Sequence, residues 1–337
     1  MHVTPLVWGL TIAFVIGVIV LDLLLADRRP HKISTKEAGA WVGLYVGLAC
    51  LFGIGIGVIS GWTYGGEFFA GYLTELSLSV DNLFVFVIIL SAFAVPEIHQ
   101  HKVLLYGIVI ALILRAVLIV LGAAVIERFS SVFYLFGVFL IYTAYKLVKH
   151  KDDTPEPGDN KLLRRVEKVV PTVKEYQGTK LTVKIADKRF VTPMFMVMIA
   201  IGTTDILFAL DSIPAIFGLT QETYLVFAAN AFSLLGLRQL YFLIDGLLDR
   251  LVYLSYGLAV ILGFIGAKLV IHALHTNELP FVNGGEHVTA IPEISTPLSL
   301  AVILGTLVVT TVASLARRRP EPVHVGEPAA LPTRSGR

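Results

Sequence analysis

This sequence is poor in charge and in cysteine. Only 15% of its 337 residues are Asp, Glu, Lys or Arg, against about a quarter in soluble domains, so most of the chain reads as lipid-solvated. A single cysteine, Cys50, excludes an intrachain disulfide framework and a cysteine-based metal site. Inside its apolar run it reads as a small packed hydrophobe. No Walker loop, Rossmann fingerprint, nucleophile elbow or haem motif is present. No enzyme activity and no bound cofactor are therefore expected, and any work the protein does should draw on an ion gradient rather than ATP. The net charge of +2 says little by itself, because placement matters more than the sum in such a chain. No nucleic-acid partner is expected.

What the chain has in abundance is long apolar runs. A membrane span needs about 20 largely apolar residues, and nine runs qualify: Thr4 to Ala26, Glu37 to Ile59, Phe68 to Val95, Val103 to Ile126, Phe129 to Val148, Val191 to Leu219, Thr223 to Asp245, Val252 to Leu274 and Thr296 to Ala316. The first lacks the basic leader of a secretory signal, so it reads as a retained helix. The fold class expected is an all-α integral membrane protein. Lys and Arg fall on alternate connections: Arg28, Arg29, Lys32 and Lys36; then Lys102; then eleven between Lys149 and Arg189; then Arg250; then Arg317 to Arg319. The other connections together hold only Arg128. The positive-inside rule then puts the N-terminus outside a cell membrane and the C-terminus in the cytoplasm. The soluble 149–190 segment is expected to be cytoplasmic, with a short basic helix (KLLRRVEKVV), a small hairpin in the sequence around Gly178, and affinity for anionic lipid headgroups. A 275–295 loop faces the outside, and the Pro-rich tail 320–337 reads as disordered.

Two of the apolar runs carry the same acidic pattern, Glu75-LSLSV-Asp81-Asn82 and Asp205-ILFAL-Asp211-Ser212. A charged side chain at the bilayer centre is disfavoured by about 2.5–3.5 kcal/mol on insertion scales, so four acids at matched spacing imply a use. On a regular helix Ser79 and Asn82 share the face of Glu75, each within about 40° of it, while Asp81 lies about 120° away. Asp205 and Ser212 share a face in the second copy, and Asp211 again lies off it. Either the helix unwinds near the second acid, or each acid has its own neighbours. Pro214 favours unwinding in the second copy, because it would free the Leu210 carbonyl. Carboxylates, an amide and hydroxyls form a hard ligand set suited to Mg²⁺, Ca²⁺ or Mn²⁺. The alternative use of the acids is pairing with Arg115 and Arg238, which lie inside the fourth and seventh runs.

Other features read more simply. Met194, Met196 and Met198 are packing residues. Gly53, Gly55, Gly57 and Gly61 look like a nucleotide loop only on paper, and inside an apolar run they indicate close helix contact. His272, His275, Glu278, Glu286 and His287 cluster around the 275–295 loop and are expected to be ordinary loop residues rather than an accessory metal site.

The halves also match beyond the acids. LIYTAYKLV (140–148) aligns without gaps with LGFIGAKLV (262–270), so Lys146 matches Lys268. The repeat unit is three spans, residues 68–148 and 191–274, with the two leading spans (1–67) and the last (296–319) outside it. An odd number of spans per unit makes the second copy enter the membrane inverted, as in many secondary transporters.

ELSLSVDNLFVF, TTDILFALDSIPAIFGLT and LGLRQLYFL, between about Phe68 and His272, resemble the TerC family of integral membrane proteins, which includes Alx-type metal exporters. The resemblance implies a LysE-like transporter architecture, manganese efflux and a link to tellurite resistance, with Glu75, Asp81, Asn82, Asp205, Asp211 and Ser212 lining the ion path. In one departure, Gly202 stands where many relatives carry Glu. The expected function is a secondary transporter that exports Mn²⁺ in exchange for protons. The rival is a membrane scaffold in tellurite or envelope stress or in membrane-protein assembly.

Overall fold

A computed structural model describes residues 1, 3–28, 35–129, 131–149, 173, 176–178, 180–185, 188–244, 253–277, 279, 282–288 and 291–316. The side chains of Asp81 and Arg238 lie outside the described residues, as do the expected basic helix at 161–170 and the 320–337 tail. The chain is a helical bundle: α1 (Pro5–Arg28), α2 (Thr35–Ser60), α3 (Trp62–Ala92), α4 (Glu97–Arg128) and α5 (Val132–Lys149), then α6 (Pro193–Phe217), α7 (Thr223–Leu235), α8 (Leu237–Ile244), α9 (Leu254–His275) and α10 (Thr296–Ala316). Between α5 and α6 lies a hairpin of β1 (Thr182–Ile185) and β2 (Lys188–Val191), antiparallel with Thr182 opposite Val191. The expected hairpin is thus present but falls after Gly178, which itself takes a positive φ in a turn. The Tyr176 hydroxyl ties this loop to the end of α3 by donating to the Phe93 carbonyl at 2.7 Å, and burial raises its pKa.

Among the described residues, eight helices are long and apolar enough to cross a membrane. The expected span Thr223 to Asp245 departs from expectation: it runs as two helices, α7 of 13 residues and α8 of 8, broken at Gly236. Glycine is weak in a helix interior, and at Gly236 the amide turns back to the Leu234 carbonyl. A break of this kind is tolerated at membrane depth only where protein surrounds it, and every residue from Tyr224 to Leu235 is buried. They pack against α1, α2, α3 and α4. Helix α3, at 31 residues, is about 46 Å long at 1.5 Å per residue, so it must tilt to fit an apolar layer about 30 Å thick.

Among the described residues, helices α5 and α9 form the most extensive pair. A Cβ on Gly137 would lie 2.8 Å from the Gly266 carbonyl oxygen and 2.6 Å from Val270 Cγ2, so only glycine permits this approach. A Cβ on Gly266 would meet the Ile141 amide nitrogen at 3.1 Å, and one on Gly263 meets Ala144 at 3.7 Å. Positions advance along α5 as they recede along α9, so the two helices run antiparallel. Helices α3 and α6 do the same: Glu67 bonds Thr220 beyond the end of α6, and Gly71 faces Ile216. Of the glycines in the second run, Gly53 and Gly57 make the expected close contact, with the Phe69 and Trp62 rings of α3. Gly55 faces open space, and Gly61 is the turn between α2 and α3, with φ 110°. Met194, Met196 and Met198 are core residues, as expected.

Candidate functional site

The first acid of each motif reaches the same partner. Arg115 on α4 is 1% exposed and lies between Glu75 of α3 (0%) and Asp205 of α6 (2%). Its Nε donates to Asp205 Oδ2 at 3.2 Å and its Nη2 to Asp205 Oδ1 at 3.0 Å, a bidentate clasp. Its Nη1 donates to Glu75 Oε1 and, at 3.3 Å, to Asn230 Oδ1 of α7. The Ser79 hydroxyl also points at Glu75 Oε1, at 3.4 Å. One guanidinium thus fastens α3, α4, α6 and α7 together at the centre of the bundle.

Local structure explains the convergence. Helix α6 stays helical through Asp211, Ser212 and Pro214 to Phe217, so the unwinding expected at Pro214 does not occur. Ala209, Ile213, Ile216 and Phe217 pack with Ile119 and Val226 in one apolar cluster, which holds the turn despite the missing N–H. With α6 regular, the two acids of the second motif face different neighbours. Asp205 faces Arg115, and half-buried Asp211 faces α5, where the Thr143 hydroxyl donates to its Oδ1 at 3.1 Å. Lys146 lies one turn further along α5 and is exposed. Ser212 and Asn82 are buried.

The site is not saturated. Among the described residues, Glu75 Oε2, Thr74 Oγ1, Asn230 Nδ2 and Ser212 Oγ are buried without a hydrogen-bond partner. Buried polar atoms are ordinarily paired, so each is available to a ligand. Two carboxylates face one guanidinium, which leaves one formal negative charge in a region shut off from water. No three of His, Cys, Asp and Glu come together in metal-holding geometry among the described residues. A cation here would rely on the two acids together with hydroxyl and amide oxygens, which suits a hard ion. Gly202 is buried on α6 and borders an apolar cavity of about 470 Å³, lined also by Tyr106, Ile110, Phe195 and Met198. That position therefore adds no carboxylate to the cluster.

Some participants escaped the sequence reading. Asn230, Thr143 and Thr74 are single polar residues in apolar runs, a signal weaker than a charge. Asp22 of α1 was also passed over, because it lies near the end of its run. It accepts from Gln239 Nε2 of α8 at 3.1 Å, both side chains being buried.

A second polar region lies at the Glu67 end of α3. It is a cavity of about 500 Å³ lined by Glu67, Glu222, Lys268, His272 and Glu293 among others. Thr220 donates to Glu67 at 2.6 Å, and His272 Nδ1 sits 3.1 Å from Glu293. The other two histidines of the loop bind main chain: His275 Nδ1 is 3.0 Å from the Ile271 carbonyl, and His287 Nδ1 is 2.6 Å from that of His275. His275 is the last residue of α9 and His287 lies in the segment after it, while Glu278 lies outside the described residues.

Eight candidate membrane helices around a sealed ionised cluster define a multi-pass integral membrane protein whose distinguishing chemistry is intramembrane charge. The chain belongs to the TerC family of integral membrane proteins, which it matches over residues 60–321. It is 52% identical over 318 residues to an uncharacterized membrane protein of Mycobacterium tuberculosis, covering 93% of this chain and 80% of that one. It is 42% identical over 245 residues to the chloroplastic thylakoid membrane protein TERC of Arabidopsis thaliana, covering 73% and 63%. It is 38% identical over 277 residues to Alx of Salmonella typhi, a protein whose name describes a membrane-bound redox modulator, covering 80% and 86%. None of these names describes an enzyme. No solved structure matches the chain.

Proposed function

We infer that this protein is a secondary transporter that exports a divalent cation of the hard class its ligand set suits, manganese by its resemblance to Alx-type exporters, in exchange for protons. The observation that carries this reading is the meeting of Glu75 and Asp205, from two helices with the same motif, around a guanidinium 1% exposed. Intramembrane ionisable groups are expensive and mark ion paths and proton relays. Carboxylates that hold metal in one step and protons in the next are natural carriers. Asp81 and Asp211 each follow six residues further along their helices, and because α3 and α6 run antiparallel they extend the set toward opposite sides of the membrane. Moving a divalent cation outward against an inside-negative potential costs about 4.6 kcal/mol per 100 mV, twice the single-charge value, and inward protons supply it.

The inverted repeat belongs to this reading. Under the alignment of 140–148 with 262–270, the contact of Ile141 with Gly266 has the contact of Gly263 with Ala144 as its symmetry mate. Antiparallel packing of α5 on α9 is what a two-fold axis in the membrane plane requires. Glu75 and Asp205, equivalent residues on antiparallel helices, would then flank that axis. The membrane is the cell membrane, with the N-terminus outside and the basic 149–190 segment at the cytoplasmic headgroups.

The test is flux. The full chain in liposomes loaded with a manganese-sensitive dye should carry Mn²⁺ with opposed proton movement, and Asp211→Asn should insert normally yet lose both. Wild-type liposomes with no manganese movement under an imposed proton gradient would overturn the reading. Metal movement without protons would remove the exchange and leave export.

A further inference from the structure

We propose that the Arg115 guanidinium is the resting occupant of the cation site, a tethered cation that fills Glu75 and Asp205 when no metal is bound and yields them when metal arrives, with Asn230 as the acceptor that keeps it. The proposal rests on the export reading above and adds a role for Arg115 and Asn230 within it.

The geometry carries it. An arginine whose task is only to brace a bundle should leave no polar atom of its partners unsatisfied, because half-paired buried ion networks are costly. Here Arg115 engages Asp205 through both oxygens but Glu75 through Oε1 alone. Glu75 Oε2 is buried without a partner. The acids therefore offer more anionic oxygen than the guanidinium uses, and a divalent cation would use it better. The guanidinium already has a second acceptor: Nη1 shares its protons between Glu75 and Asn230 Oδ1, the latter at 3.3 Å. Asn230 sits on α7, the buried half-helix that ends at the Gly236 break. Its Oδ1 is neutral, so it can hold the guanidinium once metal neutralises the carboxylates and their attraction for it is spent. Two like charges cannot share the acids, so metal and Arg115 must alternate.

The alternation has a use. A carrier that returns empty would otherwise move two bare carboxylates through a dry interior. With Arg115 seated, the empty site keeps only one formal negative charge, which one proton cancels. Arg115 therefore weakens metal binding and speeds the return of the empty carrier.

The experiment measures binding and exchange separately. Purified full-length wild type, Arg115→Gln, Arg115→Lys and Asn230→Ala are titrated with Mn²⁺, and the rise in melting temperature is converted to an apparent Kd. The same proteins in liposomes are assayed for manganese–manganese exchange and for net flux. Removing the competitor should make Arg115→Gln bind Mn²⁺ at least about tenfold tighter, equivalent to about 1.4 kcal/mol. Its net flux, which needs the empty return, should fall further than its exchange. Arg115→Lys keeps a tethered charge without the fork and should bind with intermediate affinity. Asn230→Ala should bind Mn²⁺ more weakly than wild type, because the displaced guanidinium has nowhere to go. If Arg115→Gln does not assemble, the opposite shifts of Arg115→Lys and Asn230→Ala decide the matter. Equal or weaker metal binding in folded Arg115→Gln, or unchanged binding in both Arg115→Lys and Asn230→Ala, overturns the proposal while wild-type binding and flux leave the export reading standing. Wild type that neither binds nor moves Mn²⁺ overturns both.

Discussion

The Arg115 cluster and the Glu67 cavity contain the same kinds of group, carboxylates facing a basic side chain, yet they are built to opposite standards. Arg115 is 1% exposed and donates to three side chains on three helices. At the end of the bundle, Glu67, Glu222, Glu293, Lys268 and His272 line an open polar volume, and Glu293 is 56% exposed. Solvent makes the difference. In the cavity, water can replace any partner, so the charges need no fixed geometry and give one another about 0–1 kcal/mol per pair. In the cluster nothing replaces a lost partner, so orientation and number are set by the protein alone. The cavity leaves its charges to water, whereas the cluster holds them in one geometry.

The largest effect should come from breaking the cluster. Arg115→Ala strands two carboxylates in a dry interior and should cost about 3–5 kcal/mol, read as a lowered melting temperature of the detergent-purified protein. A loss under 1 kcal/mol would mean that water reaches the site and that the contrast with the cavity is false.

Thr143→Val tests ground between the two. Asp211 is half-buried and takes one hydrogen bond from Thr143, so the substitution removes a donor to a charged group while keeping the shape. A cost of about 1.5–3 kcal/mol would place Asp211 with the cluster, and a cost near zero would place it with the cavity.

The smallest effect belongs to the cavity itself. Glu293→Gln should change stability by less than about 1 kcal/mol, and whatever difference exists should vanish in high salt because exposed charges are screened within a Debye length of about 3 Å at 1 M. A salt-insensitive loss would show that this end of the bundle is sealed like its centre.

How far these regions could be read beforehand depends on the kind of signal each residue carries. The acids and Arg115 stand out because a charge in an apolar run is locally anomalous, whatever the fold. The antiparallel pairing of α5 and α9 was approachable through LIYTAYKLV and LGFIGAKLV, since alignment and an odd span count imply inversion. Asn230 and Thr143 were not approachable, because a lone amide or hydroxyl in an apolar helix is common and acquires meaning only from what it faces. The break at Gly236 was hidden for the same reason: Thr223 to Asp245 is apolar enough to pass as one span, and hydropathy does not report that Tyr224 to Leu235 are all buried in protein.

Composition and spacing alone determined that this chain is helical and membrane-embedded, where its acids sit along their helices, and that a regular helix turns the two acids of each motif to different sides. These are local properties, set by transfer free energy and by 3.6 residues per turn. Only the tertiary structure decided which neighbours the acids face: that Glu75 and Asp205 share Arg115, that Asp211 goes to Thr143, and that α6 keeps its turn through Pro214. Helical periodicity gives each side chain a direction, but the partner in that direction depends on how the helices pack, and packing is a property of the whole bundle.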